Sequence, residues 1–266
     1  MDQLCAGAIL NGCGRVKTKS ISNALSFDRY SRNARLKPAL FVLLPLFVTI
    51  AVWLPRVWTL IGGLTTLLTA CGSTLLLGEI ARYLGRGVEK RMIAANGGKF
   101  TTIFLRHRDS TISSATKSNY HALLKKKAKR GMPTRAAEEA DPEGADDLYR
   151  GAVDWLLEAT RSEKRFPLVR AENIYYGFRR NLLGLKGIAL LLLTTCIALS
   201  AWLTSRALHV DETRFWAGCI LCFALCGDAA AWLLIIRMPF VEDAGHTYAI
   251  RLLAQCDLLS GATKRE

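Results

Sequence analysis

The chain has 266 residues, long enough for one or two domains, and 51% of it is hydrophobic although its formal net charge is +14. These two properties are compatible only if apolar and basic residues occupy separate stretches, as they do here. The composition therefore predicts an integral membrane protein and argues against a soluble enzyme. Most of the eight cysteines fall in apolar stretches, which favours reduced, packed thiols over a disulfide scaffold.

Residues 1–37 form a basic N-terminal segment. The run Leu4–Leu10 is too short for a signal peptide and has no basic residue before it. A lipoprotein signal ending at Cys13 lacks the same lead-in, so we expect neither signal.

Four apolar runs reach or approach the roughly 20 residues that a helix needs to cross a bilayer. They form two pairs with short connections, so the sequence predicts an all-α membrane protein with four transmembrane helices in two hairpins. The predicted spans are Pro38–Leu54, Val57–Leu77, Gly187–Leu203 and Phe215–Ile236. The predicted segments are 1–37, hairpin 1 at 38–83, a basic cytosolic lobe at 84–186, hairpin 2 at 187–236 and a C-terminal tail at 237–266.

The orientation of the spans follows from their flanking residues. Lys and Arg outnumber Asp and Glu in residues 1–37 and 84–186, which the positive-inside rule places in the cytoplasm together with both termini. Trp53, Trp58, Trp202 and Trp216 lie beside the two short connections, Pro55-Arg56 and residues 205–214. Since Trp favours membrane interfaces, these residues predict that both connections lie on one side.

The segment 84–186 is patterned like a small, mostly helical lobe. Phe100–Leu105 is rich in β-formers and predicts one short strand. Residues 115–130 predict a helix capped by Thr116 or Ser118. A turn-rich acidic connection follows at 131–147, then a helix at 145–161 and another that begins near Pro167.

Five stretches of this segment carry a family resemblance. They are "GG…TT…LRHRD", "YHALL", "ADPEGADDLY", "TRSEKRF" and "ENIYYGFRRNLLGLK". Over residues 97–186 the chain resembles an uncharacterised family of bacterial four-span inner-membrane proteins associated with anti-phage defence loci. The resemblance implies a membrane-anchored accessory protein or effector in the bacterial inner membrane, and it brings no catalytic residue with it.

Two acidic residues are candidate intramembrane polar sites, Asp228 and Glu79. Asp228 lies about eight residues before the cytoplasmic end of span four, or roughly 12 Å at 1.5 Å per residue. An ionisable group at that depth is costly and by default faces a bundle interior, a partner or a water path. A pore-lining or proton-linked carboxylate is one interpretation, and a protonated Asp bonded to a Ser or Thr of span two is the other.

The stretch Ala171–Leu193, "AENIYYGFRRNLLGLKGIALLLL", joins the lobe to span three. A continuous helix there would carry a change in the lobe into the membrane, with Gly184 and Gly187 as hinges. The alternative is a basic collar and nothing more. The predicted coupling residues are Glu172, Asn173, Tyr176, Arg179, Arg180, Gly184 and Gly187.

Three further patterns are weighed against simpler interpretations. A basic cluster could bind nucleic acid or anionic lipid, or be a solvated surface; it comprises Lys125, Lys126, Lys127, Lys129 and Arg130. His107 and Asp109 of "RHRD" would share one side of a continuing strand, but one such pair is weak evidence for catalysis. Cys219, Cys222 and Cys226 share a helix face, where packing is favoured over a metal site. We therefore expect no metal, no cofactor and no catalytic activity.

Two hypotheses for function remain open. In the first, the lobe senses or binds a partner, and the spans form a homo-oligomer that alters membrane permeability. In the second, the protein is a tether or scaffold whose basic lobe recruits a protein, a nucleic acid or anionic lipid. The predicted partners are thus the bilayer, further copies of the chain and a cytosolic partner.

Overall fold

A computed structural model describes residues 32–54, 59–128 and 131–261, and these residues form helices and turns with no strand among them. The helices, in chain order, are a π-helical turn (Arg32–Leu36), α1 (Lys37–Trp53), α2 (Leu60–Asn96), α3 (Phe100–Ile103), α4 (Ser114–Ala128), α5 (Arg135–Ala140), α6 (Pro142–Ala159), α7 (Pro167–Ala207), α8 (Glu212–Leu234), α9 (Met238–Leu253) and α10 (Gln255–Gly261).

Four helices in the described part of the chain are long and apolar enough to cross a membrane. They are α1 with the turn before it, α2, α7 and α8. The predictions of a highly helical chain and of four candidate membrane spans are therefore confirmed. Thr59 caps α2 by accepting the N–H of Gly62 at 3.1 Å, and Gly97, at a φ of 66°, ends it in the left-handed conformation that glycine adopts without strain.

The helix α7 is the centre of the apolar bundle, because α1, α2 and α8 all pack against it. Their shared hydrophobic core, here called the span core, includes Val42, Leu185 and Leu193, which are almost fully buried. Near one end of this bundle, the indole N–H of Trp53 donates to the Ser200 hydroxyl at 3.3 Å. Most other side chains in the candidate spans face outward, as expected for surfaces that meet lipid.

The short helices form a second hydrophobic core, here called the head core. It joins the far end of α2 and the first turns of α7 to the helices α3 to α6, α9 and α10. Tyr149, Leu124, Leu156 and Leu252 are fully buried in it. The predicted helices at 115–130, 145–161 and from Pro167 are present, as α4, α6 and α7.

The predicted strand Phe100–Leu105 is wrong. These residues form the short helix α3 and the turn after it, because helical spacing places Phe100 and Phe104 on one face, with ring centroids 5.9 Å apart. Both rings also pack edge-on against His246 of α9. Burial of this aromatic pair outweighs the local preference for an extended chain.

Two smaller predictions in the same region also need correction. The start of α4 is capped by the Ser113 hydroxyl, which accepts the N–H of Thr116 at 3.2 Å, rather than by Thr116 or Ser118. Part of the predicted acidic connection is the helix α5, whose cap is Thr134. Several residues singled out above by their sequence patterns lie outside the described residues, namely Cys5, Cys13, Pro55, Arg56, Trp58, Lys129 and Arg130.

Candidate functional site at the crossing of α2 and α7

The helices α2 and α7 cross in backbone contact at Gly85 and Gly184. A Cβ atom added at Gly184 would lie 2.8 Å from the Gly85 nitrogen and 2.9 Å from the carbonyl carbon of Leu84. Both helices continue through the crossing without interruption, so Gly184 lies in regular helix at a point of closest approach. Gly187 differs, because a Cβ atom added there would have no atom of another described element within 4 Å.

Asn181 ties a third element to this crossing. Its side chain is 1% exposed, and its Nδ2 donates to the carbonyl oxygen of Ala34 in the turn before α1 at 2.6 Å. Its Oδ1 is buried, has no hydrogen-bond partner among the described residues and lies over Gly85, where it would overlap an added Cβ atom. Only glycine fits at position 85 with Asn181 in this place.

One helical turn toward the head core, Arg180 joins α7 to α2. Its Nη1 donates to Oε2 of Glu89 at 2.5 Å, and both side chains are largely buried. The Tyr176 hydroxyl donates to the other oxygen of Glu89 at 3.5 Å, and the Arg180 guanidinium lies 5.7 Å from the Tyr176 ring centroid. A charge-assisted bond in partial burial is stronger than an exposed ion pair.

Arg179 joins α7 to α9 from the neighbouring position. Its Nη1 donates to Oδ2 of Asp243 at 2.6 Å and to the carbonyl oxygen of Phe240 at 2.8 Å. Its guanidinium also lies 4.5 Å from the Tyr175 ring centroid and 4.3 Å from that of Phe240. The adjacent residues Arg179 and Arg180 therefore connect α7 to two different helices, α9 and α2.

Lys186 completes the set of cations on this stretch. Its Nζ donates to the carbonyl oxygens of Ile236 at 2.7 Å and Leu233 at 3.3 Å, at the end of α8. A cation there satisfies helix-terminal carbonyls and interacts favourably with the helix dipole. This basic residue thus holds α7 against the end of α8.

The structure brings together some of the predicted coupling residues and leaves others aside. Tyr176, Arg179, Arg180 and Gly184 all contact α2 or α9, as described above. Glu172 and Asn173 are half-buried and make none of these contacts, and Gly187 is exposed. The helix α7 is continuous through its glycines, as a coupling segment requires.

Sequence reasoning missed the partners of these residues, Glu89, Asp243, Gly85 and Asn181. The available signal was weak: an acidic residue near the basic end of each apolar run, and a polar Asn beside an arginine pair. Neither pattern says which helix contacts which. We call Gly85, Glu89, Tyr176, Arg179, Arg180, Asn181, Gly184 and Asp243 the junction.

The two candidate intramembrane acids lie apart from the junction and from each other. Asp228, on α8, is half-buried, and the side chain of Trp232, one turn along the same helix, interacts with its carboxylate. The Ser and Thr hydroxyls of span two that donate a described hydrogen bond do so to backbone carbonyls of their own helix, namely Thr65, Thr66, Thr69, Ser73 and Thr74. Glu79, on α2, is 66% exposed and lies 3.6 Å from Arg35 and 3.8 Å from Arg82.

The remaining predicted sites are dispersed. Lys125, Lys126 and Lys127 lie in the last turn of α4, with their side chains toward solvent. His107 and Asp109 do not pair: the His107 Nε2 contacts the Pro133 carbonyl oxygen at 3.0 Å, and Asp109 accepts the N–H of Thr111. No group of three or more His, Cys, Asp or Glu in the described ranges is placed to hold a metal ion.

The "RHRD" motif instead contributes to a buried ionic network in the head core. Arg106 is 7% exposed and forms a bidentate pair with Asp146 of α6, through Nε at 2.8 Å and Nη2 at 2.6 Å. The same Nη2 donates to the carbonyl oxygen of Gly97 at 2.6 Å. The motif therefore connects the end of α2 to α6, a structural role that local sequence could not reveal.

Glu138 and His121 are two of the titratable groups next to this network. Burial by itself would raise the pKa of Glu138, but hydrogen bonds from the His107 N–H and the Tyr149 hydroxyl lower it. Burial lowers the pKa of His121, and nearby Lys117 and His107 add to that effect, while Glu138 and a bond to the Leu105 carbonyl oppose it. The ring of His121 is therefore held in its neutral form.

We expect the stability of the head core to fall as the pH drops below about 6.5, the ordinary pKa of histidine. The unfolded chain takes up a proton there before the folded chain does, so each pH unit costs at most about 1.4 kcal/mol. The measurement is thermal unfolding of the purified chain in detergent between about pH 7.5 and about pH 5.5. His121→Gln should flatten that dependence, and an unchanged slope in this variant would contradict the assignment to His121.

Comparison with known families gives no identification. No protein-family profile, curated protein or solved structure matches the chain. The resemblance to bacterial four-span membrane proteins stays a prediction, and the function is inferred from the geometry of the helices and the junction.

Proposed function

We propose that this chain is a multi-pass inner-membrane protein whose cytosolic head binds a partner and whose oligomerised spans alter membrane permeability. The observation that carries the proposal is the continuity of α2 and α7. Each runs as one helix from the head core into the span core, and the two cross at Gly85 and Gly184. A rigid helix transmits a displacement along its length, so a change in the head would move the spans.

The junction supports this coupling. Arg180 with Glu89 and Arg179 with Asp243 fix α7 to α2 and α9 at the level where the head core ends and the span core begins. Charged pairs of this kind have discrete arrangements, made or broken, and such elements carry coupling between distant sites. A partner that displaced α9 would act on Arg179 first.

The proposed topology has two hairpins, α1 with α2 and α7 with α8, with the head and both termini in the cytoplasm. Support comes from the basic residues near the head ends of the candidate spans, such as Arg82, Arg86, Lys186 and Arg237. Trp202 and Trp216 are exposed near the opposite end, which suits a second membrane interface.

Asp228 is the reason for proposing an effect on permeability. It lies among apolar side chains of α8 and is only half-buried, so the bundle does not enclose it completely. A charged side chain at mid-membrane costs roughly 3 kcal/mol when it faces lipid. Contact between copies of α8, or a shared water path, would remove that cost. The resemblance to proteins near anti-phage defence loci fits an effector of this type.

The proposal is tested by inducing expression in bacterial cells and following the membrane potential with a dye. A parallel assay measures dye leakage from liposomes that contain the purified protein. We expect wild type to depolarise the cells and Asp228→Asn to reduce the rate by about tenfold. Glu212→Gln, the same chemical change at the exposed start of α8, is the matched control and should keep wild-type activity. No depolarisation by wild type, or equal activity in Asp228→Asn, contradicts the proposal.

A tether or scaffold is the second candidate, and the lysines at the end of α4 favour it. Lys125, Lys126 and Lys127 take part in no ion pair among the described residues. Neutralising them together with Lys129 and Arg130 should abolish recruitment of nucleic acid or anionic vesicles to the membrane while permeability stays unchanged. Lost permeability with intact recruitment would count against the tether.

A further inference from the structure

A pocket of about 500 Å³ opens on the head, outside the junction. Its walls are the turn after α3, the start of α4 and the start of α5. The charged and aromatic side chains that line it are His107, Arg108, Asp109, Lys117, His121 and Arg135. Its volume lies within the range typical of small-molecule sites.

The floor of this pocket is held rigidly. The buried Lys117 ammonium donates to the carbonyl oxygens of Arg106 at 2.6 Å and Asp109 at 2.5 Å, which fixes the turn against α4. The His121 Nε2 contacts the Leu105 carbonyl oxygen at 2.8 Å, and its ring meets that of His107 edge-on at 4.9 Å. The site is therefore formed before any ligand arrives, which lowers the cost of binding.

Two arginines at the rim are available to a ligand. Arg108 is 60% exposed and only reaches Glu138 at 4.0 Å, a carboxylate already bonded to Tyr149 and to the His107 N–H. Arg135 is 74% exposed and meets the exposed Glu139 at 3.5 Å. Exposed pairs of this type contribute little, so both guanidinium groups can turn to a stronger anion.

The balance of charge in the pocket favours an anion that carries several oxygens. Among the described residues, Asp109 is the one carboxylate that lines it, and both of its oxygens are engaged by Thr111, with Lys117 3.9 Å away. The serine hydroxyls at the rim, Ser110, Ser114 and Ser118, offer further donors. Guanidinium groups bind phosphate in bidentate geometry, which suits a phosphoryl group better than a halide.

We propose that this pocket binds a phosphate-bearing small ligand, with Arg108 and Arg135 contacting the phosphate. Under the proposed function, this ligand class would be the kind of signal that the head senses. Only that consequence rests on the proposed function; binding of the ligand to the pocket does not. The phosphate could belong to a soluble phosphate ester or to a phospholipid headgroup, and recognition by the two arginines is common to both.

The test is a calorimetric titration of the full chain, in a neutral detergent, with sodium pyrophosphate. We expect saturable binding, and Arg108→Gln with Arg135→Gln should weaken it at least about tenfold, the loss of one charge-assisted contact or more. Arg150→Gln with Arg161→Gln is the matched control, because both arginines are exposed and paired within their own stretch, away from the pocket. Unchanged thermal unfolding of both variants excludes a folding defect.

Two further arms separate the sources and the hypotheses. Competition between pyrophosphate and nanodiscs that contain phosphatidylglycerol assigns the phosphate to a phospholipid headgroup, whereas no competition assigns it to a soluble ester. Absence of pyrophosphate binding, or equal weakening in both double variants, overturns the pocket. Pyrophosphate binding without depolarisation by wild type would support the pocket and contradict the permeability function. Depolarisation without pyrophosphate binding would contradict the pocket and support the permeability function.

Discussion

Replacing Gly184 by alanine is expected to destabilise the contact between α2 and α7 by about 2–3 kcal/mol. The new methyl group would lie 2.8 Å from the backbone nitrogen of Gly85 and 2.9 Å from the carbonyl carbon of Leu84. Backbone atoms in two long helices cannot move aside as the end of a flexible side chain can. The crossing must therefore widen, and the Arg180–Glu89 bond next to it should lengthen.

Gly187→Ala is the control for this variant. Position 187 lies on the same helix and has no atom of another described element within 4 Å of a Cβ, so alanine there should leave stability unchanged or raise it by up to about 1 kcal/mol. Thermal unfolding of both variants in the same detergent decides the comparison. If Gly184→Ala keeps full stability and loses only activity, the glycine is a hinge, as the sequence suggested, and close contact does not explain its presence.

Asp146→Ala is expected to cost about 3–5 kcal/mol, the larger of the two effects. Arg106 is almost fully buried, and Asp146 accepts two of its N–H groups. Without that carboxylate the guanidinium keeps only the Gly97 carbonyl oxygen as an acceptor for the same groups, and its charge is left uncompensated. The link between the end of α2 and α6 should loosen as a result.

Asp147→Ala is a close control, since the neighbouring carboxylate is 72% exposed and pairs with the exposed Arg150. Its effect should stay within about 0.5 kcal/mol. Denaturant unfolding of the two variants, monitored by circular dichroism, compares the two. Similar losses of unfolding free energy in both variants would mean that the buried Arg106–Asp146 pair stabilises the protein no more than the exposed Arg150–Asp147 pair does.

The amino-acid sequence by itself determined where the apolar helices lie. The runs that contain Val42, Leu67, Leu193 and Phe223 are long and apolar enough to cross a bilayer whatever surrounds them, because that property depends on local composition. The continuity of α7 was also readable, since no proline follows Pro167 within it and its glycines cost only about 1 kcal/mol each.

The tertiary structure decided which residues meet. Gly85 and Gly184 lie far apart in the chain, and nothing local marks either as the crossing point. In the sequence, Arg106 resembles any solvent-exposed basic residue. Only the tertiary structure places Asp146 against it. The strand predicted at Phe100–Leu105 failed for the same reason, because packing against His246 selects the helix. Local patterns fix the elements of this protein, whereas contacts between residues distant in the chain fix the junction, since those contact energies do not exist until the helices have packed.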